Sequence, residues 1–401
     1  SIGTLINAGL ISGIADSDSG TGLYITKSTI TTLTNTGTIS GSARVMGVGL
    51  RLKTASIITL TNNGLITGSA GGYDAFGIHM DESSINTLTN AGTISGLATD
   101  DETGAGIYLD ESTITTLNNS GLIHFISDGY EDDNSAAIHL NDTSSINTLI
   151  NSGTISAVQG DDDDYTLAGI YLDSKSFINN LTNTGLISAA GSGDSNYAIF
   201  INDTSSIGTI TNSGTISASS DEGDLTAFGF LISDKSSVGT LTNSGTITAS
   251  ADHDAVGIHL DNTSSVGTLT NSGTITTSAG VDDAWGIHVD TKSSITTLTN
   301  SGTITTSAGE DDAVGIFLVD TSTIATFNNT GTISVTAGIK EATGILVSSN
   351  STITTLTNNG LIEAISLGVD ANGIDMQDDD ATGINTITTL TNTGTISGSA
   401  A

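Results

Sequence analysis

The segment Thr268-Leu269-Thr270-Asn271-Ser272-Gly273-Thr274-Ile275-Thr276 contains the pattern that decides the fold. Two short runs of alternating polar and apolar residues flank the triplet Asn271-Ser272-Gly273, and alternation with period two is typical of β-strands. Because Asn and Gly tolerate positive φ, the triplet predicts a turn. The segment recurs fourteen times with small changes, which indicates a stacked array rather than an ordinary globular domain.

The recurring Asn marks the length of the repeat. Successive copies lie 27 to 34 residues apart, mostly 28 or 29. We expect each side-chain amide to sit inside a turn and to bond to the Asn one coil above and below, as in other stacked β structures. The members of this predicted ladder are Asn7, Asn35, Asn62, Asn90, Asn119, Asn151, Asn183, Asn212, Asn243, Asn271, Asn300, Asn329, Asn358 and Asn392.

A second segment, Gly257-Ile258-His259-Leu260-Asp261, recurs thirteen times between successive copies of the first segment. In twelve of thirteen copies, the interval from its Gly (Ala137 and Ala198 in two copies) to the next Asn has one of two lengths, which differ by a single position. The interval from each Asn to the following Gly varies more, from the short stretch 35–49 to the long stretch 119–137. One side of the unit is therefore rigid, and the other side accepts insertions, as expected for loops along one edge of a stack.

The unit predicts three short strands in about 29 residues and no helix, which is one coil of a parallel β-solenoid. We expect an all-β, single-domain β-helix of about 13 coils that runs continuously over residues 1–401. Aliphatic residues such as Ile258, Leu269 and Ile275 should point inward and pile on their equivalents. With adjacent coils about 4.8 Å apart, thirteen coils predict a rigid rod about 60 Å long.

The charge balance excludes two classes of partner. The chain has 43 acidic and 8 basic residues, a net charge of −35. Binding to nucleic acid or to an anionic membrane surface needs clustered Lys and Arg, so neither is expected. The chain has no Cys and no Pro, which excludes a disulfide framework and suits continuous strand pairing. No apolar run is long enough to predict a membrane-spanning helix.

The variable edge of the repeat is acidic, and it leaves two interpretations open. The acidic residues share one phase and should stack into a stripe, where hard cations with oxygen ligands would relieve the repulsion, calcium above all. The alternative is a solvated edge that keeps the protein soluble and prevents edge pairing. The candidate calcium ligands are Asp132, Asp133, Asp161, Asp162, Asp163, Asp164, Asp282, Asp283, Asp311 and Asp312.

A row of aromatic and His residues occupies the middle of the second segment. Alternation places it on the outside, where it could bind a glycan, a partner protein, or a metal through His259 and His288. The alternative is stacking between coils with no ligand. The row is Tyr24, His79, Tyr108, His139, Tyr171, Phe200, His259, His288 and Phe317, with Arg51, Leu231, Leu346 and Asp375 in the remaining coils. Alternating Thr residues predict either ice binding or strand propensity alone.

No pattern in the sequence predicts an enzyme. The carboxylates are periodic, and no apolar pocket that would raise the pKa of one of them is evident. Arg44 and Arg51 are the only arginines, and phosphate-loop, Gly-x-Ser-x-Gly and zinc motifs are absent. We therefore expect no catalytic residues and no required cofactor, with calcium as the one candidate ion.

The repeat resembles the passenger repeats of bacterial autotransporter adhesins, which belong to the type V secretion class. The residues that carry the resemblance are Val266-Gly-Thr-Leu-Thr-Asn-Ser-Gly-Thr-Ile275 together with the Gly-Ile-x-Leu-Asp segment, and it covers nearly the whole chain. The resemblance implies a right-handed β-helix, export to the bacterial cell surface, and a role in adhesion, aggregation or surface coating.

Both ends of the chain fall inside a repeat unit, at Ser1–Leu5 and at Thr389–Ser397. Uncapped solenoid ends predict either a fragment of a longer solenoid or end-to-end stacking into a filament. The functional expectation is a secreted structural or adhesive surface protein that self-associates and contacts a glycan or protein on a neighbouring cell. The alternative is a dedicated ligand-binding solenoid for glycan, ice or calcium.

Overall fold

A computed structural model describes residues 1–99, 103–127, 135–160, 166–192, 195–220, 226–377 and 384–401. These residues contain 41 β-strands and no helix, so none of them forms an apolar helix that could cross a membrane. The chain divides into two compact units, Ser1–Phe200 with Thr204–Gly208, and Ile201–Asp203 with Thr209–Ala401. Coils stack within each unit, and a single continuous solenoid over residues 1–401 stays a prediction.

Strands up to the boundary belong to the first unit, and the boundary itself falls within β21 and β22. The strands are β1 Ile2–Asn7, β2 Leu10–Ile14, β3 Ser19–Thr26, β4 Thr29–Asn35, β5 Thr38–Ala43, β6 Met46–Lys53, β7 Ser56–Asn62, β8 Leu65–Ala70, β9 Ala75–Asp81, β10 Ser84–Asn90, β11 Thr93–Ala98, β12 Gly104–Asp110, β13 Thr113–Asn119, β14 Leu122–Ser127, β15 Ser135–Asn141, β16 Ser145–Asn151, β17 Thr154–Gln159, β18 Thr166–Leu172, β19 Phe177–Asn183, β20 Leu186–Gly191, β21 Ser195–Ile201 and β22 Ser206–Asn212.

The second unit has the same spacing of short strands. They are β23 Thr215–Ser220, β24 Thr226–Ile232, β25 Ser237–Asn243, β26 Thr246–Ala251, β27 Ala255–Leu260, β28 Ser265–Asn271, β29 Thr274–Ala279, β30 Ala284–Val289, β31 Ser294–Asn300, β32 Thr303–Ala308, β33 Ala313–Leu318, β34 Thr323–Asn329, β35 Thr332–Ala337, β36 Ala342–Val347, β37 Thr352–Asn358, β38 Leu361–Ser366, β39 Ala371–Asp375, β40 Thr386–Asn392 and β41 Thr395–Ala400.

Every third strand pairs in parallel, so each unit has three sheets. In the first unit the first sheet runs β1-β4-β7-β10-β13-β16-β19, the second β2-β5-β8-β11-β14-β17-β20, and the third β3-β6-β9-β12-β15-β18. In the second unit the orders are β25-β28-β31-β34-β37-β40, β23-β26-β29-β32-β35-β38-β41 and β24-β27-β30-β33-β36-β39. Three strands in about 29 residues make one coil, which confirms the predicted all-β parallel solenoid.

Aliphatic side chains from the three sheets of a coil fill its interior. Ile258, Leu260, Leu269 and Ile275 are fully buried, as their alternation predicts. Equivalent residues pair directly across coils, for example Leu269 with Leu298, so the same side chain repeats along the core. Burying one such side chain contributes about 1.5–3 kcal/mol, and the repetition makes this the main source of stability.

The turn between the first and second sheets needs its Gly for a different reason from the one predicted. The turn residues tolerate positive φ, but neither Asn271 nor Gly273 has it. A Cβ added to Gly273 would lie 2.1 Å from the carbonyl oxygen of Gly245 in the preceding coil. The turns therefore stack so closely that a side chain has no room, and close approach of backbones is the second common reason for Gly.

The Asn of this turn forms a buried ladder within each unit. Asn243 Nδ2 donates to Asn271 Oδ1, and Asn271 Nδ2 donates to Asn300 Oδ1, both at 2.8 Å. Asn271 Nδ2 also donates to the carbonyl oxygens of Gly273 at 3.4 Å and Thr303 at 3.2 Å. Each amide thus crosslinks two coils and closes its own turn, which offsets the cost of burying it.

The corner between the third and first sheets takes one of two forms. In coils with the longer interval between the second-segment Gly and the Asn, two consecutive residues have positive φ, as in Asn262 (53°) and Thr263 (68°). In coils where that interval is shorter by one position, one residue has it, as in Thr54 (50°). Ser293 N–H donates to the Asp290 carbonyl across the paired form, which is the geometry of a type I′ turn.

A buried Ser follows each of these corners in ten coils, and in at least six of them its hydroxyl accepts a backbone N–H from the preceding coil, which makes a second, interrupted polar ladder. The backbone N–H of Ser264 donates to Ser293 Oγ at 3.0 Å, and the N–H of Ser83 donates to Ser112 Oγ at 2.9 Å. The hydroxyls thus accept backbone protons that the sheets leave unpaired at the corner. Six accepting residues are Ser83, Ser112, Ser144, Ser205, Ser293 and Ser351. Ser176, Ser236, Ser264 and Ser322 occupy the same buried position in the other coils.

Candidate functional site

The third sheet presents two adjacent rows of side chains on its outer face, because each of its strands bends at the position of the repeat Gly. In β30, Gly286 and Ile287 both face the interior, where a Cβ on Gly286 would lie 2.7 Å from Ile304 Cγ2. Two inward residues in succession make a kink that breaks the alternation, and the same kink recurs in the paired strands because the register is kept on both sides of the Gly. The ring centroids of Trp285 and His288 consequently lie 5.0 Å apart on the same face, although i and i+3 alternate faces in a regular strand.

The row predicted from the second segment forms a stack of rings from His79 to Phe200 in the first unit and from His259 to Phe317 in the second. The ring centroids of His139 and Tyr171 lie 4.6 Å apart, and those of Tyr171 and Phe200 lie 4.8 Å apart. The rings cover one another so well that Tyr171 is 2% exposed, whereas Tyr24 is 50% exposed. His79 with Tyr108, Tyr108 with His139, His259 with His288, and His288 with Phe317 extend the same arrangement.

The His residues of the row are buried and neutral. Neither ring nitrogen of His139, His259 or His288 has a hydrogen-bond partner in the structure. Burial lowers the pKa of His139 to about 3 and that of His259 to about 4. Burial and the neighbouring His259 lower the pKa of His288 as well. These imidazole rings therefore pack as uncharged rings on the outer face of the third sheet, over the residues that the structure describes.

His259 and His288 form a potential metal group together with Asp290, because one donor atom from each lies within 4.8 Å of the others. The two imidazole planes, however, are 4° from parallel, with centroids 4.4 Å apart. Ring lone pairs lie in the ring planes, so two parallel rings cannot direct them at one ion. The arrangement favours stacking over metal binding at this position.

A second row, formed by the residue before the repeat Gly, does not follow from the period-two pattern of the sequence. It contains Phe76, Tyr197, Phe228 and Trp285, with smaller residues in other coils. Trp285 contacts both His288 and Phe317, with a centroid distance of 6.4 Å to the latter. Only the kink at the Gly brings this row beside the first, and the sequence signal that could have located it is the aromatic directly before Gly.

The acidic edge lies two residues before the second row. Asp312 N–H donates to Asp283 Oδ1 at 3.0 Å, and Glu341 N–H donates to Asp312 Oδ1 at 2.9 Å. Each carboxylate therefore caps the backbone of the following coil. Burial raises the pKa of Asp283 to about 6, and the nearby carboxylates of Asp311 and Asp312 add to this rise, while the capping bond opposes it.

Three of the four predicted calcium ligands that the structure describes lie close together. Carboxylate oxygens of Asp283, Asp311 and Asp312 lie within 4.8 Å of one another. Asp311 also pairs with Lys340 at 2.6 Å, and Asp282 pairs with His253 Nδ1 at 2.6 Å. The remaining predicted ligands, Asp132, Asp133, Asp161, Asp162, Asp163 and Asp164, lie outside the described residues.

The carboxylates and the two rows enclose a pocket of about 220 Å³ in the second unit. It is lined by Asp283, Trp285, Asp312, Val314, Phe317, Glu341, Thr343, Leu346 and Gln377. The first unit has a pocket of about 260 Å³ lined by Asp74, Phe76, His79, Thr103, Tyr108 and Asp110. Both occupy the same place in the repeat, because Phe76 and Trp285 each directly precede the Gly and each follow an Asp by two residues.

Comparison with known proteins gives one match. The family model described as the BigA fourth domain matches residues 113–348, which is more than half of the chain. No curated protein and no solved structure matches the chain. The match fits a β-solenoid repeat protein with an adhesin-like domain.

Proposed function

The chain belongs to the BigA fourth-domain family, and from this membership we propose that it is an adhesive element exported to the surface of a bacterium. The observation that carries the proposal is the match over residues 113–348, because it joins this solenoid to a family of surface, adhesin-like domains. The outer face of the third sheet supports the same function, since aromatic residues favour contact surfaces.

Adhesion is testable with the purified chain. Beads coated with the protein should attach to epithelial or bacterial cell layers more than beads coated with an unrelated protein of similar negative charge. The matched charge matters, because a net charge of −35 alone affects non-specific contact. Equal attachment of both bead types would contradict the proposal. Antibody labelling of intact expressing cells tests export, and labelling only after the cells are opened would contradict it.

We propose that the protein acts without catalysis. In the described residues, the carboxylates with a pKa raised by burial include Asp254 and Asp283, and both accept a backbone N–H from the next coil. These two bonds hold Asp254 and Asp283 as caps of the neighbouring coil, which supports a structural role for both carboxylates. Turnover of any member of a polysaccharide panel by the purified chain would overturn this proposal.

Weak calcium binding at Asp283, Asp311 and Asp312 is a second proposal, supported by the closeness of their oxygens. Calcium prefers six to eight oxygen ligands, so three carboxylates and water predict low affinity. Calcium should raise the melting temperature and a chelator should lower it, with Asp311→Asn reducing the difference. Identical melting curves with calcium and with chelator would contradict the proposal.

Self-association is proposed through the edge strands of the first unit. Strand β1 pairs with β4 on one side, and its Ile6 is 68% exposed. In β2, Leu10 and Ile14 are similarly exposed. Parallel sheet edges with exposed apolar side chains favour pairing with a further strand, and we propose that a second copy of the chain supplies it. Sedimentation velocity should show larger species as concentration rises, and a constant monomer across the concentration range would contradict this.

A further inference from the structure

The pocket around Trp285 combines two different walls, and we propose that it binds one neutral pyranose ring of a glycan. The inference rests on the proposed adhesive function and supplies its ligand class. Trp285, Phe317, Val314 and Leu346 provide an apolar side, while Asp283, Asp312, Glu341 and Gln377 provide a polar side. A pyranose has the matching character, with C–H groups on its faces and hydroxyl groups around its rim.

The apolar wall is preorganised for a flat ligand face. Trp285 is held by ring contacts to His288 at 5.0 Å and to Phe317 at 6.4 Å. His288 is itself stacked on His259 and Phe317, so this part of the wall cannot easily rotate. Aromatic anchors that lose little freedom on binding contribute most to recognition. Trp285 is the only Trp of the chain and is half-buried beside the carboxylates.

The polar wall suits hydroxyl groups. Glu341 already accepts from Thr343 Oγ1 and Asn372 Nδ2, each at 2.7 Å. Asp283 and Asp312 already accept a backbone N–H. Each carboxylate has about four lone-pair sites, so it can accept further hydrogen bonds from sugar hydroxyls while these protein donors hold it in place. Gln377 Nε2, which lies 2.8 Å from Asp375 Oδ2, supplies an amide for the same rim.

The charge and size of the pocket narrow the ligand class. Three carboxylates in a chain of net charge −35 repel acidic sugars such as sialic or uronic acids. The volume of about 220 Å³ lies below the roughly 300–1,000 Å³ of drug-sized pockets, which fits one ring rather than a longer stretch of glycan. The pocket therefore selects a neutral hexose or N-acetylhexosamine.

The equivalent pocket of the first unit supports the inference independently. Asp74, Thr103 and Asp110 form its polar side, and Phe76, His79 and Tyr108 form its aromatic side. The centroids of Phe76 and Tyr108 lie 5.1 Å apart. In two of the described coils, the aromatic residue directly before the Gly also lies two residues after an Asp. These aromatics are Phe76 and Trp285, and a pocket forms at each of them.

The experiment measures binding of the full chain to immobilised neutral and acidic glycans, followed by calorimetry with the best neutral ligand. We expect two sites per chain. Trp285→Val should remove one site, and adding Tyr108→Leu should remove the other. Both replacements occur naturally at these rows, as Val256 and Leu231, so the variants should keep the melting temperature. Phe228→Val is the matched control and should leave both sites intact.

Three results would overturn the inference: no binding to any neutral glycan, stronger binding to acidic glycans or to simple amines, or unchanged binding by the double variant. Loss of the Trp285 anchor should weaken that site at least about tenfold. Bead attachment to cells separates the two proposals. Attachment without neutral-glycan binding would leave the adhesive function standing and remove only this ligand class.

Discussion

Asn62 Nδ2 donates a hydrogen bond to Asn90 Oδ1 at 2.8 Å, although the two residues are 28 positions apart and both are fully buried. Asn62 Oδ1 accepts an equivalent bond from Asn35. Neighbouring coils thus share a buried polar contact at the edge of the apolar core. Removing the side chain of Asn62 therefore leaves one N–H of Asn35 Nδ2 without this acceptor and Asn90 Oδ1 without this donor.

We predict that Asn62→Ala destabilises the protein by about 2–6 kcal/mol, because two buried groups lose their partners at about 1–3 kcal/mol each. Thermal unfolding followed by circular dichroism measures the loss. Asn63→Ala is the control, because Asn63 is adjacent and exposed, and it should change the melting temperature little. Equal shifts in the two variants would show that the ladder contributes no stability.

Ser293→Ala should destabilise by about 1–3 kcal/mol, because the backbone N–H of Ser264 then has no acceptor at a buried corner. The loss of the small hydroxyl itself leaves almost no cavity. Ser294→Ala, at the neighbouring less buried position, provides the comparison in the same melting assay. If Ser293→Ala has the same melting temperature as the wild type, the second polar ladder contributes no stability.

Thr263→Gly should stabilise the protein by about 0.5–1 kcal/mol. A non-Gly residue at positive φ costs about 1–2 kcal/mol, so Gly relieves that strain. The greater freedom of Gly in the unfolded chain offsets about 0.5–1 kcal/mol of the stability gained. The same change at Thr270, inside β28, should destabilise because no strain is relieved there. A lower melting temperature for Thr263→Gly would contradict the strain argument.

The stability should fall in acid through the buried His residues. His139 stays neutral in the folded protein because burial lowers its pKa to about 3, while the unfolded chain takes up a proton near pH 6.5. The unfolded state therefore binds more protons between about pH 6.5 and pH 3, and stability decreases as the pH falls through that window. Above pH 6.5 this contribution is constant.

The variant His139→Phe isolates that effect, since Phe200 and Phe317 occupy the same row in other coils. Its stability relative to the wild type should increase by up to about 1.4 kcal/mol for each pH unit below 6.5. Tyr171→Phe, in the neighbouring ring, should show no such trend in this range. A constant difference between His139→Phe and the wild type from pH 8 to pH 5 would contradict neutral burial of His139.

Period and spacing are enough to predict the strands, their parallel stacking and the inward column, because these depend on alternation that every coil repeats. The outer face depends on local backbone geometry that composition does not encode. The kink at Gly286 puts Trp285 beside His288, and no period-two pattern places those residues on one side. The prediction for Gly273 is wrong for the same reason, since contact between coils, and not φ, requires Gly there.

The two corner forms, one with a single and one with a paired positive φ, accommodate intervals that differ by one position between the same landmarks. A gain or loss of one codon at this corner therefore leaves all three strands of the coil in phase with their neighbours. Coils of either kind can consequently be duplicated, deleted or exchanged by recombination without a compensating mutation elsewhere. A gene built in this way can change its number of repeats quickly while each coil it encodes still folds onto the next.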